Sequence, residues 1–292
     1  MPPRKVLLAE PRGFCAGVEM AIKALAWMVR AFDPPVYCYH EIVHNKLVVD
    51  RFRDLGVVFV DDIADVPPGS PIMLSAHGSA PEVVAAARAK GSYVVDSVCP
   101  LVTKVHHEVK VRAGKGFDIV YVGHEGHEEA AGTMAVAPGA MHRVESIDDV
   151  NALPEFSGPV ALLAQTTLSH RDWSGVLDAT RVRFPDLWTP GRSDLCFATT
   201  NRQSALMAMA ERCDAIVVIG SANSSNTPWM TGSTLTIRRA LLMVSAPVSL
   251  GTYRPSRPLT ATLGAIGPIS SPVDIWPGAS IPSRVVAFQC RS

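Results

Sequence analysis

Apolar runs of four or five residues alternate along the chain with longer stretches in which apolar positions recur every three or four residues. "KVLLA" reads as a strand, and the segment from about Val18 to Ala31 as a helix. The alternation continues with "VYCYH" before "NKLVVDRFRDLG", the short run "VVFV", "PIMLSAHG" before "PEVVAAARAKG", and "YVVDSVCP" before "KVHHEVKVRAGKG". Gly114 and Gly116 supply stop signals for that last helix. Next come "DIVYVGHEGHEEAAGTM", "MHRVES" ahead of the helix "IDDVNAL", "PVALLAQTTLSHRDWSGVLDATRVRF" and "DAIVVIGSANSSN". This order predicts βαβ units and an α/β fold with mostly parallel sheets. Five of the runs carry their polar residues just past the strand: "LSAHG", "VDSVCP", "VYVGHEGH", "LLAQTTLS" and "VVIGSANSSN". Ligands of open α/β sheets bind beyond the carboxyl ends of strands, so several small units facing one site are expected.

Composition narrows the class. The 292 residues are 48% hydrophobic and 18% charged, as in a globular chain of two or three small domains. No apolar run approaches the ~20 residues of a membrane span, and no apolar leader opens the chain, so a cytoplasmic protein is predicted. A formal net charge of zero gives no basic surface for nucleic acid.

Six cysteines spread through such a chain do not suggest a disulfide framework. Cys38 and Cys213 have the contexts of packing residues, and Cys290 lies two residues from the end. Cys15 in "GFCAGV", Cys99 in "DSVCPLVTK" and Cys196 in "DLCFATTNRQ" each sit where a strand would hand over to a helix. A thiolate is stabilised beside the free N–H groups of a helix N-terminus. Three thiolates suit a four-iron cluster with one iron left without a protein ligand. A Cys₃His zinc site is the rival, with His44, His77, His124 and His127 available. A zinc hydrolase or thiol enzyme is a further alternative, although no clear Cys–His triad stands out.

The motifs "PRGFCAGV", "EIVHN", "SAHG", "CPLVTKVH", "GHEGHEEAAGTM", "QTTLS", "CFATTNRQ" and "GSANSSN" occur in one order. In these the chain resembles the 4-hydroxy-3-methylbut-2-enyl diphosphate reductases, the last enzymes of the non-mevalonate isoprenoid pathway. The resemblance runs from about residue 4 to Asn226. It implies a [4Fe–4S] cluster held by Cys15, Cys99 and Cys196, with three small α/β units arranged around it, at residues 1–98, 99–192 and 193–292. It implies removal of an allylic hydroxyl as water with two electrons and two protons, giving isopentenyl and dimethylallyl diphosphate. Glu129 would be the proton donor. His44, His77, His127, Thr166, Ser224, Ser225 and Asn226 would hold the substrate. The partners implied are a small allylic diphosphate and an electron donor of the ferredoxin or flavodoxin type. By spacing alone, Glu129 also fits an ordinary carboxylate at a helix N-terminus.

The end of the chain departs from this pattern. Residues 227–292 hold six of the 27 basic residues and one of the 27 acidic ones, so they carry +5 and the body −5. Eight of the 23 prolines fall here. The loss of motif and of acidic residues at Thr227 predicts a frame-shifted or replaced C-terminus and an incomplete third unit; resequencing the coding region tests this. On that hypothesis the alternative function is an inactive relative that keeps the cluster ligands. The "PGASIPS" segment places Ser280 in the local order of the family's C-terminal serine, but farther downstream, and a coincidence is expected.

Overall fold

The structure, a computed structural model, describes residues 5–91, 93–210, 212–213, 215–220, 241–245 and 284–289. By their internal packing the residues divide into two units. The larger comprises Cys15–His44 and Val48–Gln203. The smaller comprises Met1–Phe14, Asn45–Leu47 and Ser204–Ser292.

The larger unit contains two all-parallel sheets. In the first, β2 (Val36–Tyr39), β3 (Val57–Val60), β4 (Pro71–Leu74) and β5 (Tyr93–Asp96) lie in the order β3-β2-β4-β5. Helix α1 (Ala16–Ala31) precedes β2, α2 (Lys46–Asp54) links β2 to β3, and α3 (Pro81–Lys90) links β4 to β5. The strand order reverses direction between β2 and β4. Val60, Ile72 and Leu74 pack with Ala87 of α3 and with Ile63 and Val66 of the connecting turn. Helix α1 is positioned by Ala21, Ile22, Leu25 and Met28, buried at a helical spacing.

The second sheet holds β6 (Asp118–Val122), β7 (Met141–Val144) and β8 (Val160–Ala164) in the order β7-β6-β8. All five residues of β8 are buried, which explains its uninterrupted apolar run. Alternate residues face opposite ways. Ile119, Tyr121, Ala161 and Leu163 pack with Val105 and Val109 of α4 (Pro100–Ala113) and Ala130 of α5 (Glu128–Met134). Val120, Val122, Leu162 and Ala164 pack with Val150 of α6 (Ile147–Ala152) and Val176 of α7 (His170–Arg183). Helix α6 starts at a capping box, in which Ser146 Oγ accepts from Asp149 N at 3.1 Å and the Asp149 carboxylate accepts from Ser146 N at 2.9 Å. Here the strand order reverses between β6 and β8. Helix α8 (Phe197–Ala210) follows Cys196.

The smaller unit has a mixed sheet of β1 (Lys5–Leu8), β9 (Ala215–Gly220), β10 (Leu241–Ser245) and β11 (Arg284–Gln289), in the order β1-β11-β9-β10. β10 runs parallel to β9, and β11 antiparallel to both β9 and β1. Two apolar runs of the atypical tail, "LLMVS" and "RVVAFQ", thus pair with strands from the body of the sequence. β1, which the sequence groups with the first unit, pairs with β11. Among the described residues, no helix is long and apolar enough to cross a membrane.

Candidate active site

The two reversals of strand order place the polar motifs. His40 and His44 follow β2, and His77 follows β4. His127, Glu128 and Glu129 follow β6, and Thr166 follows β8. A sheet whose connections turn in opposite directions from two adjacent strands opens a crevice at their carboxyl ends.

Each of the three cysteines stands at the N-terminus of a helix. Cys15 is the cap of α1, and Val18 N–H donates to its Sγ at 3.4 Å. Cys99 caps α4 ahead of Pro100, and its N–H donates to Ala76 O at 3.0 Å. Cys196 precedes α8, and its N–H donates to Thr166 O at 2.7 Å. No strand leads into Cys196, as the sequence had suggested; the segment before it is loop, joined to β8 through an isolated bridge between Ala161 and Trp188.

The thiols converge although the sequence separates them widely. Those of Cys15 and Cys196 share a hydrogen bond, which pushes Cys15 up and Cys196 down. The N–H groups of Thr199 and Ala198 and the charge of Arg202 also favour the Cys196 thiolate. Burial pushes the Cys99 thiol up, against the N–H groups of Leu101 and Val102. Gly17 is required where α1 meets this group: a Cβ there would lie 2.8 Å from Cys99 Sγ. An ion pair with a buried carboxylate holds two of the thiol segments together. Lys104 of α4 donates to Asp194 Oδ1 at 2.9 Å and to Arg192 O at 2.8 Å, while Asp194 Oδ2 accepts from Ala164 N at 3.2 Å.

Glu129 is 3% exposed. Thr166 N–H donates to its Oε1 at 2.6 Å, and Thr166 Oγ1 donates to its Oε2 at 3.0 Å. Burial nevertheless outweighs these bonds and raises the carboxyl to about 7. One residue, Thr166, therefore touches both the carboxyl and the backbone of a thiol residue.

Beside it lies a cluster of imidazoles. The rings of His44 and His77 stack at 4.0 Å with 15° between planes, and His127 stands edge-on at 5.4 and 6.0 Å from them. Glu129 N–H donates to His127 Nδ1 at 3.1 Å, so the neutral ring of His127 carries its proton on Nε2. Burial, helped by the charge of His77, lowers His44 to about 3 and His127 to about 4.

The adjacent polar residues separate into different roles. Glu128 Oε2 lies 2.9 Å from His77 Nδ1. His124 and Glu125 point elsewhere, toward Glu145 and Arg143. Thr167 Oγ1 accepts from the buried Gln165 at 3.1 Å. The sequence did not single out His40, Lys104, Asp194 or Gln165, and assigned no role to Glu128. Ser224, Ser225, Asn226 and Ser280 lie outside the described residues.

Two sets of donor atoms could be considered for a metal. The ligand-type atoms of His44, His77 and Glu128 lie within 4.8 Å of one another. Within that set Glu128 Oε2 and His77 Nδ1 already bond to each other at 2.9 Å. Among the described residues the three thiols form no such compact set. One tetrahedral zinc, with Zn–S near 2.3 Å, would bring its sulfurs to about 3.8 Å from each other. Three thiols at helix N-termini are a donor set of the kind that binds iron–sulfur clusters.

The sequence profile of the LytB protein family matches residues 6–255. The chain belongs to the LytB family. The family match takes in Cys15, Cys99, Cys196, the histidines and Glu129, and it continues past Thr227 to end within the tail. A relative from Rhodopirellula baltica, named 4-hydroxy-3-methylbut-2-enyl diphosphate reductase, is 47% identical over 251 residues, covering 86% of this chain and 79% of its own. Two solved structures share the LytB fold. The E-1-hydroxy-2-methyl-but-2-enyl-4-diphosphate reductase of Plasmodium falciparum matches with a TM-score of 0.74 at 35% identity, over 81% of this chain and 74% of that one. A structure described as (E)-4-hydroxy-3-methyl-but-2-enyl diphosphate reductase, the terminal enzyme of the non-mevalonate pathway, matches with a TM-score of 0.61 at 26% identity, over 81% and 91%.

Proposed function

We propose that this chain reduces (E)-4-hydroxy-3-methylbut-2-enyl diphosphate to isopentenyl diphosphate and dimethylallyl diphosphate. Residues Cys15, Cys99 and Cys196 would hold a [4Fe–4S] cluster. The names of the similar proteins support the reaction. The observation that carries it is local: a buried carboxyl poised near neutrality is joined through Thr166 to a group of three cap thiols and through His127 to a cluster of imidazoles.

The thiols suit the cluster because helix N-termini favour thiolates and because Gly17 leaves room against Cys99. When bound, the cluster would supply electrons and a Lewis-acidic iron for the departing oxygen. The reaction breaks one C–O bond and consumes two electrons and two protons. One proton joins the hydroxyl to make water, and the other joins carbon.

Glu129 is the residue assigned to proton delivery. Its carboxyl holds a proton near neutral pH, and Thr166 fixes both its oxygens, so the acid faces one direction. His44, His77 and His127 are assigned to the diphosphate. Burial keeps His44 and His127 neutral in the free protein; an arriving anion favours their protonation and converts the cluster into charged donors. Ser224, Ser225 and Asn226 are assigned as further donors to the same anion. A one-electron carrier of the ferredoxin or flavodoxin type would supply the electrons in the cytoplasm.

The test is purification without oxygen, followed by iron and sulfide analysis, visible spectroscopy and turnover with a reduced viologen. About four iron and four sulfide per chain, with both products formed, is the expected result. Zinc alone, or a cluster with no turnover, would overturn the proposal; the second outcome is that of an inactive relative.

A further inference from the structure

Glu128 stands at the first position of α5, where a helix N-terminus favours any carboxylate. That location does not explain its direction. Its Oε2 meets His77 Nδ1 at 2.9 Å, and its Oε1 lies 3.7 Å from His40 Nδ1. His40 has φ of 57°, the one positive value outside glycine among the described residues, so the chain accepts backbone strain at the end of β2 beside this carboxylate. The contact is set by backbone packing. A Cβ at Gly132, one turn along α5, would lie 2.8 Å from Gly78 O, so the helix rests directly on the turn that carries His77. Burial pushes the Glu128 carboxyl up, but the His77 hydrogen bond and the charges of His77, His44 and His40 pull it below the usual range.

We propose that Glu128 is the positioning residue of the anion pocket: it takes the Nδ1–H of His77, fixes that tautomer and ring orientation, and leaves Nε2 to the diphosphate. The proposal rests on the assignment of His44, His77 and His127 to the diphosphate. An ionised carboxylate only accepts, so the shared proton belongs to Nδ1. A neutral His77 would then show an anion the lone pair of Nε2. Binding is favourable when Nε2 also takes a proton, and the imidazolium lies between two anions, Glu128 on one side and the ligand on the other. The same division of labour, carboxylate to histidine to ligand, orients imidazoles at metal sites. His77 and His127 are then held by different devices. His127 accepts a backbone N–H at Nδ1, and His77 donates from Nδ1 to a side chain.

The test compares Glu128→Ala and Glu128→Gln in cluster-loaded protein purified without oxygen. Nitrogen-15 spectra of the histidine side chains report the tautomer directly. Wild type should show His77 protonated at Nδ1, Glu128→Ala a mixture, and Glu128→Gln the wild-type form, because the amide oxygen still accepts. Affinity for inorganic pyrophosphate, measured by calorimetry, should fall about tenfold in Glu128→Ala and less in Glu128→Gln. KM for the substrate should rise in parallel, with kcat kept within about threefold. A His77 tautomer unchanged in Glu128→Ala overturns the proposal, as does a fall in kcat with KM unmoved. Wild-type protein that shows the Nδ1–H but binds no pyrophosphate overturns the diphosphate assignment instead.

Discussion

The thiol group and the imidazole cluster are tuned by different means. Each thiol sits at the positive end of a helix, and backbone N–H groups approach its sulfur. The charged form is favoured at Cys196, while the bond to Cys196 pushes Cys15 up and burial pushes Cys99 up. The imidazoles lie among each other and away from water, and burial holds two of them neutral. Here the fold favours the uncharged form and leaves charging to the ligand. Two adjacent residues of α5 repeat the contrast. Glu128 is drawn below its ordinary range by histidines, and Glu129 is raised to about 7 by burial. Sequence adjacency therefore says little about electrostatic environment.

The largest effect should come from the thiol side. Cys99→Ala is expected to lose the cluster's visible absorbance and to reduce turnover to background, while His77 keeps its tautomer. If the histidine spectra change as well, the two groups are not separate. Glu129→Gln should lower kcat by about 10²–10⁴-fold with iron content unchanged. The rate should also fall in wild type as pH rises through about 7, where the donor loses its proton. A variant with wild-type kcat would remove Glu129 from proton delivery.

Lys104→Met probes the frame that holds Cys99 and Cys196. It leaves the Asp194 carboxylate, 1% exposed, without its cation, at a cost of about 2–4 kcal/mol. Thermal unfolding of the apo-protein checks this, and an unchanged melting temperature would show that the pair carries little.

The pH dependence of stability separates the two electrostatic designs. His44 and His127 are near 3 and 4 when folded and near 6.5 when unfolded, so the unfolded chain binds more protons between these values. Their contribution is full above pH 6.5 and is lost as pH falls to about 4 for His127 and about 3 for His44, by roughly 3–5 kcal/mol for each. Glu129 works in the other direction. Its folded value exceeds its unfolded one, so its contribution falls as pH rises from 4.5 to about 7, and Glu129→Gln should remove that part of the curve. Urea titrations at several pH values test both signs.

Much of this was legible in the sequence. The change from short apolar runs to helical spacing identified the parallel sheets, and the polar residues at strand ends marked the side on which the site forms. Cys15, Cys99, His77, Glu129 and Thr166 stand out because each follows such a run. The partners were not legible. Lys104 and Asp194 are 90 positions apart, and Glu128 and His77 are 51 apart; only the packing of α4 and α5 on their sheets brings them together. The loop before Cys196 lacks periodicity, so its course beside β8 could not be read. The pairing of "LLMVS" and "RVVAFQ" with β9 was hidden because both runs lie among prolines and glycines that carry no register.

The position of Thr166 bears on mutational robustness. Two of its three bonds at the site, from its N–H to Glu129 and from Cys196 N–H to its carbonyl, belong to the main chain. No change of side chain at residue 166 removes the second, and only proline removes the first. The spacing between the acid and Cys196 is thus encoded in the chain's path, where point substitution hardly reaches it. The hydroxyl of Thr166 adds the one bond of the three that a side-chain change removes, at the second oxygen of the acid.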